Sequence, residues 1–370
     1  MHTMYKERLN RLNQIAESES LNAIILTDGY NIHYISGYRG HTGCMLVMSE
    51  DNFILTDSRY TEQVTIEAPE FRCIDIGRDG YSKTLKELVT SKANITGISA
   101  DKLRIGFENE HISYSQYKAY YDAFCDIAEL VPLDDKVNRL RMIKTEQEIE
   151  CIARAEAIGD EAFNHILTFI DEGMTEQEVA LELEYVMRKL GATGLSFDTI
   201  AASGSNSSLP HAVPTSRKLV KGDFLTMDFG CIYEGYCSDM TRTVLIGDEP
   251  SEKQMDVYQT VLSAQVAAMK LIKPGAKCSD IDKCARDIIA NAGYGAYFGH
   301  GLGHSVGLYI HEEPRLSSKC DDILQPGMLM TVEPGIYLPG EFGVRIEDLV
   351  VVTEDGYRNL TASPKALFML

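Results

Sequence analysis

Residues 224–246 read FLTMDFGCIYEGYCSDMTRTVLI, two apolar-rich runs joined by a polar turn around Tyr233 and Glu234. Such runs with a turn between them predict an antiparallel hairpin. With the turn centred there, Asp228 and Asp239 are directly opposed, because their positions sum to 467, twice the centre of 233.5. Opposed residues hold their Cβ atoms about 4.5–5.5 Å apart, and like charges at that spacing destabilise a sheet. A cation between the two acids turns this cost into a gain. A slipped register would instead leave both acids solvated beside the turn.

Two further segments carry carboxylates. MTVEPGIYL (330–338) ends a strand at Glu333, followed at once by Pro334 and Gly335. GVRIEDLVVV (343–352) predicts one strand whose period of two puts Arg345, Glu347 and Leu349 on one face. Glu347 then sits among apolar neighbours, which is costly unless the carboxylate is paired or binds metal. The plainer alternative is an Arg345–Glu347 surface pair on an edge strand. GHGLGHSVGLYIHEEP (299–314) gathers His300, His304 and His311, three of nine histidines, between glycines. This spacing excludes a regular helix presenting two histidines together and predicts a loop that approaches a site closely.

The bulk properties bound the remaining choices. A chain of 370 residues suits two domains, and 44% apolar with 24% charged residues is ordinary for a globular protein. The net charge of −20 argues against nucleic acid and against an anionic membrane as partners, since both need basic surface. No stretch approaches the roughly 18–20 apolar residues of a membrane span. Nine scattered cysteines without a CxxC pair read as free thiols in a reducing, cytoplasmic setting.

Along residues 1 to about 130, short apolar runs (22–28, 43–49 and 52–57) alternate with helical spacing in KERLNRLNQIAE and YSKTLKELVTS, which predicts a compact α/β domain. The segment 130–150 reads as a boundary, closed by a capping box of Thr145 and Glu148. Long amphipathic helices are expected over about 145–171 and 175–190, and another around QMDVYQTVLSAQVAAMKLI. Mixed with antiparallel strands, they make the second part α+β. The expected domains are 1–132 and 138–370.

The ordered series Asp228 in MDFG, Asp239 in SDMTR, His304 in GHGLGHSVGL, Glu333 in TVEPGIY and Glu347 in VRIED resembles the M24 metallopeptidases. That family includes methionine aminopeptidase, prolidase and aminopeptidase P. The resemblance implies a pita-bread catalytic domain, preceded here by a smaller domain of the creatinase/prolidase N-terminal type. The motifs NIHYISGYRGHTG and ILTDSRYTEQ look most like the aminopeptidase P branch. It further implies two divalent metal ions, Mn²⁺ first with Co²⁺ or Zn²⁺ as alternatives, which suits a set of four carboxylates and one imidazole. Asp239 and Glu347 would bridge the ions, Asp228 would complete one shell, and His304 and Glu333 would belong to the other.

By the same resemblance His211 (in SLPHAVP), His300, His311 and Arg345 line the substrate site, with Arg345 orienting Glu347. His211, His311 and Glu333 take catalytic roles. The expected activity is cleavage of the Xaa-Pro bond at the N-terminus of peptides with proline in position two, an Xaa-Pro aminopeptidase, in a homodimer. The alternative is an Xaa-Pro dipeptidase. A non-catalytic binding scaffold on this fold is the reading from another class, and the intact five-residue series weighs against it. GHGLG as a dinucleotide fingerprint fails because no parallel-strand pattern precedes it.

Overall fold

The structure is a computed structural model, and it describes residues 2–40, 42–49, 51–96, 103–247 and 249–370. His41, in the first of the two N-terminal motifs, lies outside the described residues. Contacts divide the chain into two units, Met1–Arg141 and Met142–Leu370.

In the first unit, α1 (His2–Ser18) precedes β1 (Ala23–Leu26), α2 (Gly29–Ser36), β2 (Cys44–Val47), β3 (Asn52–Thr56) and α3 (Thr61–Glu67). After these come β4 (Arg72–Asp75), α4 (Gly80–Thr96), β5 (Leu103–Phe107), α5 (Tyr114–Phe124) and β6 (Ala128–Pro132). The strands form one mixed sheet in the order β4-β3-β2-β1-β5-β6. β1 and β2 are apolar and buried at every position because the sheet's centre is covered on both faces. Ile25, Leu46, Leu55 and Ile105 pack with Leu85, Val89 and Phe124 from the helices. Part of the segment read as a boundary is held by this unit: Tyr34 OH donates to Leu140 O at 2.8 Å, and Asn31 Nδ2 to Asn138 Oδ1 at 2.8 Å.

The second unit opens with α6 (Glu146–Phe169) and α7 (Glu176–Lys189), each started by a capping box, Thr145 with Glu148 and Thr175 with Glu178. There follow β7 (Gly194–Leu195), β8 (Ile200–Ser203), β9 (Phe224–Phe229), β10 (Cys231–Tyr233), β11 (Tyr236–Cys237) and β12 (Met240–Leu245). A second helix pair, α8 (Glu252–Met269) and α9 (Cys278–Asn291), leads to β13 (Gly303–Ser305) and β14 (Glu312–Leu316). The chain ends with β15 (Leu329–Val332), β16 (Gly335–Leu338), β17 (Phe342–Arg345), β18 (Asp348–Val352) and β19 (Tyr357–Asn359).

Strand alternation decides which side chains reach the site. On β9, Leu225, Met227 and Phe229 join the core of α6 and α7, with Val244 from β12. Thr226 and Asp228 therefore point to the opposite face, together with Thr241, which pairs with Asp228. In the other core, Val257, Val261, Ile281 and Ile289 of α8 and α9 pack with Met330, Val332, Val344 and Val350. Each helix pair thus covers the apolar face of its strands and leaves the polar positions facing inward.

Two expectations are corrected here. The hairpin turns at Glu234 and Gly235, both at positive φ (50° and 89°), as a two-residue turn of the primed type demands. Its pairs, Tyr233 with Tyr236 and Asp228 with Thr241, sum to 469, so Asp239 lies diagonal to Asp228 and not opposite it. The shift is two positions along the partner strand, so both acids keep the same face. The run 343–352 is not one strand: it breaks at Ile346–Glu347, β17 pairing with β16 and β18 with β15.

The core of α6 gives a direct test. Phe163 is fully buried and meets Phe368 edge-on at 6.0 Å between ring centroids. Phe163→Ala should cost about 3–5 kcal/mol, read as a lower urea midpoint for the second unit. A loss under about 1 kcal/mol would show that the site can collapse around the cavity.

Candidate metal centre

Four strand ends and one short strand converge on one point. Asp228 stands near the end of β9, and Asp239 just before β12. Glu333 follows β15, and Glu347 sits at the break between β17 and β18. His304 is central in β13. The histidine stretch is therefore a loop only in part, since His304 lies on a short strand paired with β14, opposite Arg315. The glycines permit this approach: a Cβ at Gly303 would lie 2.0 Å from Thr331 O, and one at Gly230 would lie 2.0 Å from Ser238 O. Any side chain at either position would push apart the strands that carry His304 and Asp239.

Carboxylate oxygens of Asp228, Asp239 and Glu347 lie within 4.8 Å of one another. His304 Nε2 is 3.5 Å from Asp239 Oδ2 and 3.4 Å from Glu333 Oε1. Asp239 is thus common to two groups, one with Asp228 and Glu347, the other with His304 and Glu333. All of them line one cavity of about 970 Å³, which also takes in His211, His300, His311 and Arg345. Every candidate residue is brought to a single site.

The electrostatics of the cluster call for cations. Asp239 and Glu347 are 5% and 1% exposed, and burial followed by neighbouring carboxylates raises both pKa values well above the usual range. Glu333 is pushed up to about 8, chiefly by burial. Two buried oxygens, Asp228 Oδ1 and Glu347 Oε1, have no hydrogen-bond partner among the described residues. Orphaned carboxylate oxygens are costly in a protein interior, and a bound cation satisfies them. His304 completes the fit. Its Nδ1 lies 3.1 Å from Ser305 O and donates to it, which leaves Nε2 unprotonated toward the carboxylates. Burial, then His311, lowers its pKa to about 3, so the ring is neutral. The residues present fit two divalent cations.

Arg345 is 3% exposed. It is not on a surface pair with Glu347. Its guanidinium bonds Asp228 Oδ2, donates to Tyr337 OH at 2.7 Å, and reaches Thr241 Oγ1 at 3.1 Å. Thr241 in turn donates to Glu347 Oε2 at 2.7 Å. Arg345 therefore orients Asp228 directly and Glu347 through the threonine. Because Tyr337 OH accepts from Arg345, its own proton is directed at His300 Nε2, 3.0 Å away. His300 Nδ1 donates to Gly301 O at 2.8 Å, so both ring nitrogens are engaged. His300 lines the cavity as a fixed, neutral wall, its pKa lowered to about 4 by burial and then by Arg345. His211 and His311 are exposed in the cavity, and the His311 ring stands edge-on to His304 at 4.6 Å.

Several contributors were not legible in the sequence. Thr241, Tyr337 and Arg315 are brought in by strand pairing, and the alternation Gly335-x-Tyr337 opposite Arg345 was the one available signal. A buried ion pair, Lys144 Nζ to Glu312 Oε2 at 3.1 Å, braces the β13–β14 hairpin, with Lys144 also donating to Ser305 Oγ at 2.8 Å. Glu156, buried in α6, accepts from the Asp239 amide at 3.3 Å.

With this geometry in hand, the comparisons assign the chain. Residues 150–354 match metallopeptidase family M24, and residues 8–143 match the creatinase/prolidase N-terminal domain. The chain belongs to metallopeptidase family M24, a dimetal-dependent family of hydrolases. The Xaa-Pro dipeptidase of Pyrococcus furiosus is 37% identical over 98% of this chain and 99% of its own length. The structure of an Xaa-Pro dipeptidase from Bacillus anthracis superposes with a TM-score of 0.91 at 42% identity, covering 99% of this chain and 100% of that one. An X-Pro aminopeptidase from Thermotoga maritima gives a TM-score of 0.87 at 38% identity, covering 98% and 99%. The fold is the pita-bread type with the creatinase-type domain before it. No described helix is long and apolar enough to cross a membrane.

The cluster yields two predictions. Asp239→Asn keeps the shape and removes the shared charge, so at least one bound ion should be lost by elemental analysis; two ions per chain would contradict its central place. The second concerns pH. In metal-free protein, Asp239, Glu333 and Glu347 have raised pKa values, so between pH 6.5 and 8 the folded state holds more protons than the unfolded one. Stability falls as pH rises there. Metal binding competes with those same protons and strengthens over the same range. The Tm difference between Mn²⁺-loaded and EDTA-treated protein should therefore widen from pH 6.5 to 8. A constant gap would refute the linkage.

Proposed function

We propose that the protein is an Xaa-Pro dipeptidase, with Asp228, Asp239, His304, Glu333 and Glu347 holding two Mn²⁺ ions. Four carboxylates and one imidazole form a hard donor set suited to that ion. When bound, the ions polarise the scissile carbonyl and supply hydroxide near neutral pH. The chain's own residues do the rest. Glu333, its Oε1 3.4 Å from His304 Nε2 and on the cavity wall, is the carboxylate placed to take up the proton released. His211 and His311 face the cavity as donors to the tetrahedral oxygen and to the departing proline nitrogen. Arg345, through Asp228 and Thr241, keeps the carboxylates in place.

The sequence motifs incline toward an aminopeptidase, while the named relatives favour the dipeptidase. The observation that carries the choice is Arg315. Of the cationic side chains lining the cavity, Arg345 is buried and committed to Asp228. Arg315 is 39% exposed and bonds only loosely, at 3.4 Å to Glu313 Oε1 and 3.3 Å to His311 O. It stands opposite His304 in the strand register and so faces the same side. A half-exposed, loosely paired guanidinium next to the metal ligands is the partner that the C-terminal carboxylate of a dipeptide needs, and an internal peptide bond lacks that charge. The proline ring, whose nitrogen forms a tertiary amide without an N–H, suits apolar lining such as Phe197, Pro210 and Val213. Free thiols at all nine cysteines support a cytoplasmic setting, and a homodimer remains part of this proposal, readable by light scattering.

Xaa-Pro should be hydrolysed faster than Xaa-Pro-Yaa, and Xaa-Ala much more slowly than Xaa-Pro. Arg315→Ala should lose about 1.5–3 kcal/mol of charge-assisted binding, mostly as raised KM for Xaa-Pro, with little change for the amide Xaa-Pro-NH₂. Tripeptides preferred by the wild type, or equal losses on acid and amide, would return the protein to the aminopeptidase reading.

A further inference from the structure

The segment 204–215, GSNSSLPHAVPT, carries His211 and has no regular structure after its first 3₁₀ turn at Gly204–Ser208. It gives the cavity Pro210, His211 and Val213, yet Val213 is 74% exposed and Leu209 is 57% exposed. Of this part only Ala212 is buried, so polar contacts hold most of it. Arg345 Nη1 donates to Pro210 O at 3.2 Å and the Gly343 amide to Ser207 Oγ at 2.9 Å, while one carboxylate ties the two ends together. Glu176, the first residue of α7, is 0% exposed. Its Oε1 accepts from Ser203 N at 2.6 Å and from Ser203 Oγ at 2.8 Å. Its Oε2 accepts from Asn206 Nδ2 at 2.8 Å, Thr215 N at 2.9 Å and Thr215 Oγ1 at 2.6 Å. Both ends of the segment are thereby tied to a single side chain.

We infer that Glu176 is a positioning residue, setting where His211 stands over the cavity without touching substrate or metal ligands. The inference rests on the peptidase reading above through the place of His211 in the substrate site. Charge makes the role specific. Each carboxylate oxygen faces a backbone N–H, Ser203 on one side and Thr215 on the other. A glutamine amide, in either orientation, points its NH₂ at one of these donors and cannot accept from it. The first turn of α7 also favours a negative charge there. Nothing shorter or neutral bridges both ends of the segment.

The test is a double-mutant cycle on the Mn²⁺-loaded full chain. Glu176→Gln should retain the wild-type metal content and lose about 10- to 100-fold in kcat/KM, since a misplacement near 1 Å can cost about 10²-fold. In the His211→Ala background the same substitution should cost less than about 2-fold, because the group it positions is gone. Full additivity would overturn the inference, as a general loss of stability would act equally in both backgrounds. Hydrogen–deuterium exchange should rise within 204–215, and unchanged exchange would also overturn it. If Glu176→Gln does not fold, Thr215→Val removes one donor only; a several-fold loss confined to the His211 background supports the inference, and an equal loss in both overturns it. A wild type that prefers Xaa-Pro-Yaa would overturn the dipeptidase reading alone, and the cycle would then be read on that substrate.

Discussion

Four carboxylates gathered in a buried pocket repel one another, and this repulsion is the constraint on which the second unit is organised. Asp239 and Glu347 are nearly inaccessible, and neighbouring acids add to the cost of burying them. Arg345 offsets part of that cost through Asp228, but two carboxylate oxygens remain without partners among the described residues. Without cations the cluster is accommodated by taking up protons, and a bound cation replaces them. The same repulsion that destabilises the ionised cluster favours a bound cation.

Holding such a cluster requires precise backbone placement, and the helix pairs supply it. α6 and α7 pack on one set of strands, α8 and α9 on another, and each pair buries only alternate residues. The intervening positions, with Asp228, Thr241, Thr331 and Glu333 among them, face the interior of the site. Glycines at 230 and 303 let the strands close to distances that a Cβ would forbid. Buried polar groups then lock individual loops: Lys144 with Glu312 braces the hairpin of His304 and His311, and Glu176 ties the segment of His211. The chemistry sits on inner faces, and its support comes from charges placed one layer behind.

Read from the sequence alone, the chain already disclosed much of this. Strand and helix periodicities located the elements, because apolar spacing follows the face that is buried. The capping box at Thr145 marked a helix start, since it satisfies backbone groups within three residues. The five-residue series Asp228, Asp239, His304, Glu333 and Glu347 was legible as a motif, and the fold type with it.

Register and partnership were decided only in three dimensions. The turn at Glu234–Gly235 moved Asp239 from directly opposite Asp228 to a diagonal place, a difference set by two positive φ angles. The break at Ile346–Glu347 separated Arg345 from Glu347, and the arginine found Asp228 and Tyr337 on other strands. Which nitrogen of His300 carries its proton depends on Tyr337, which depends on Arg345, and no local pattern encodes that chain. Sequence determines what is local: periodicity, caps and the identity of residues able to ligate. Tertiary structure decides which distant groups meet, because buried charges and donors take whatever partner the packed backbone brings within about 3 Å.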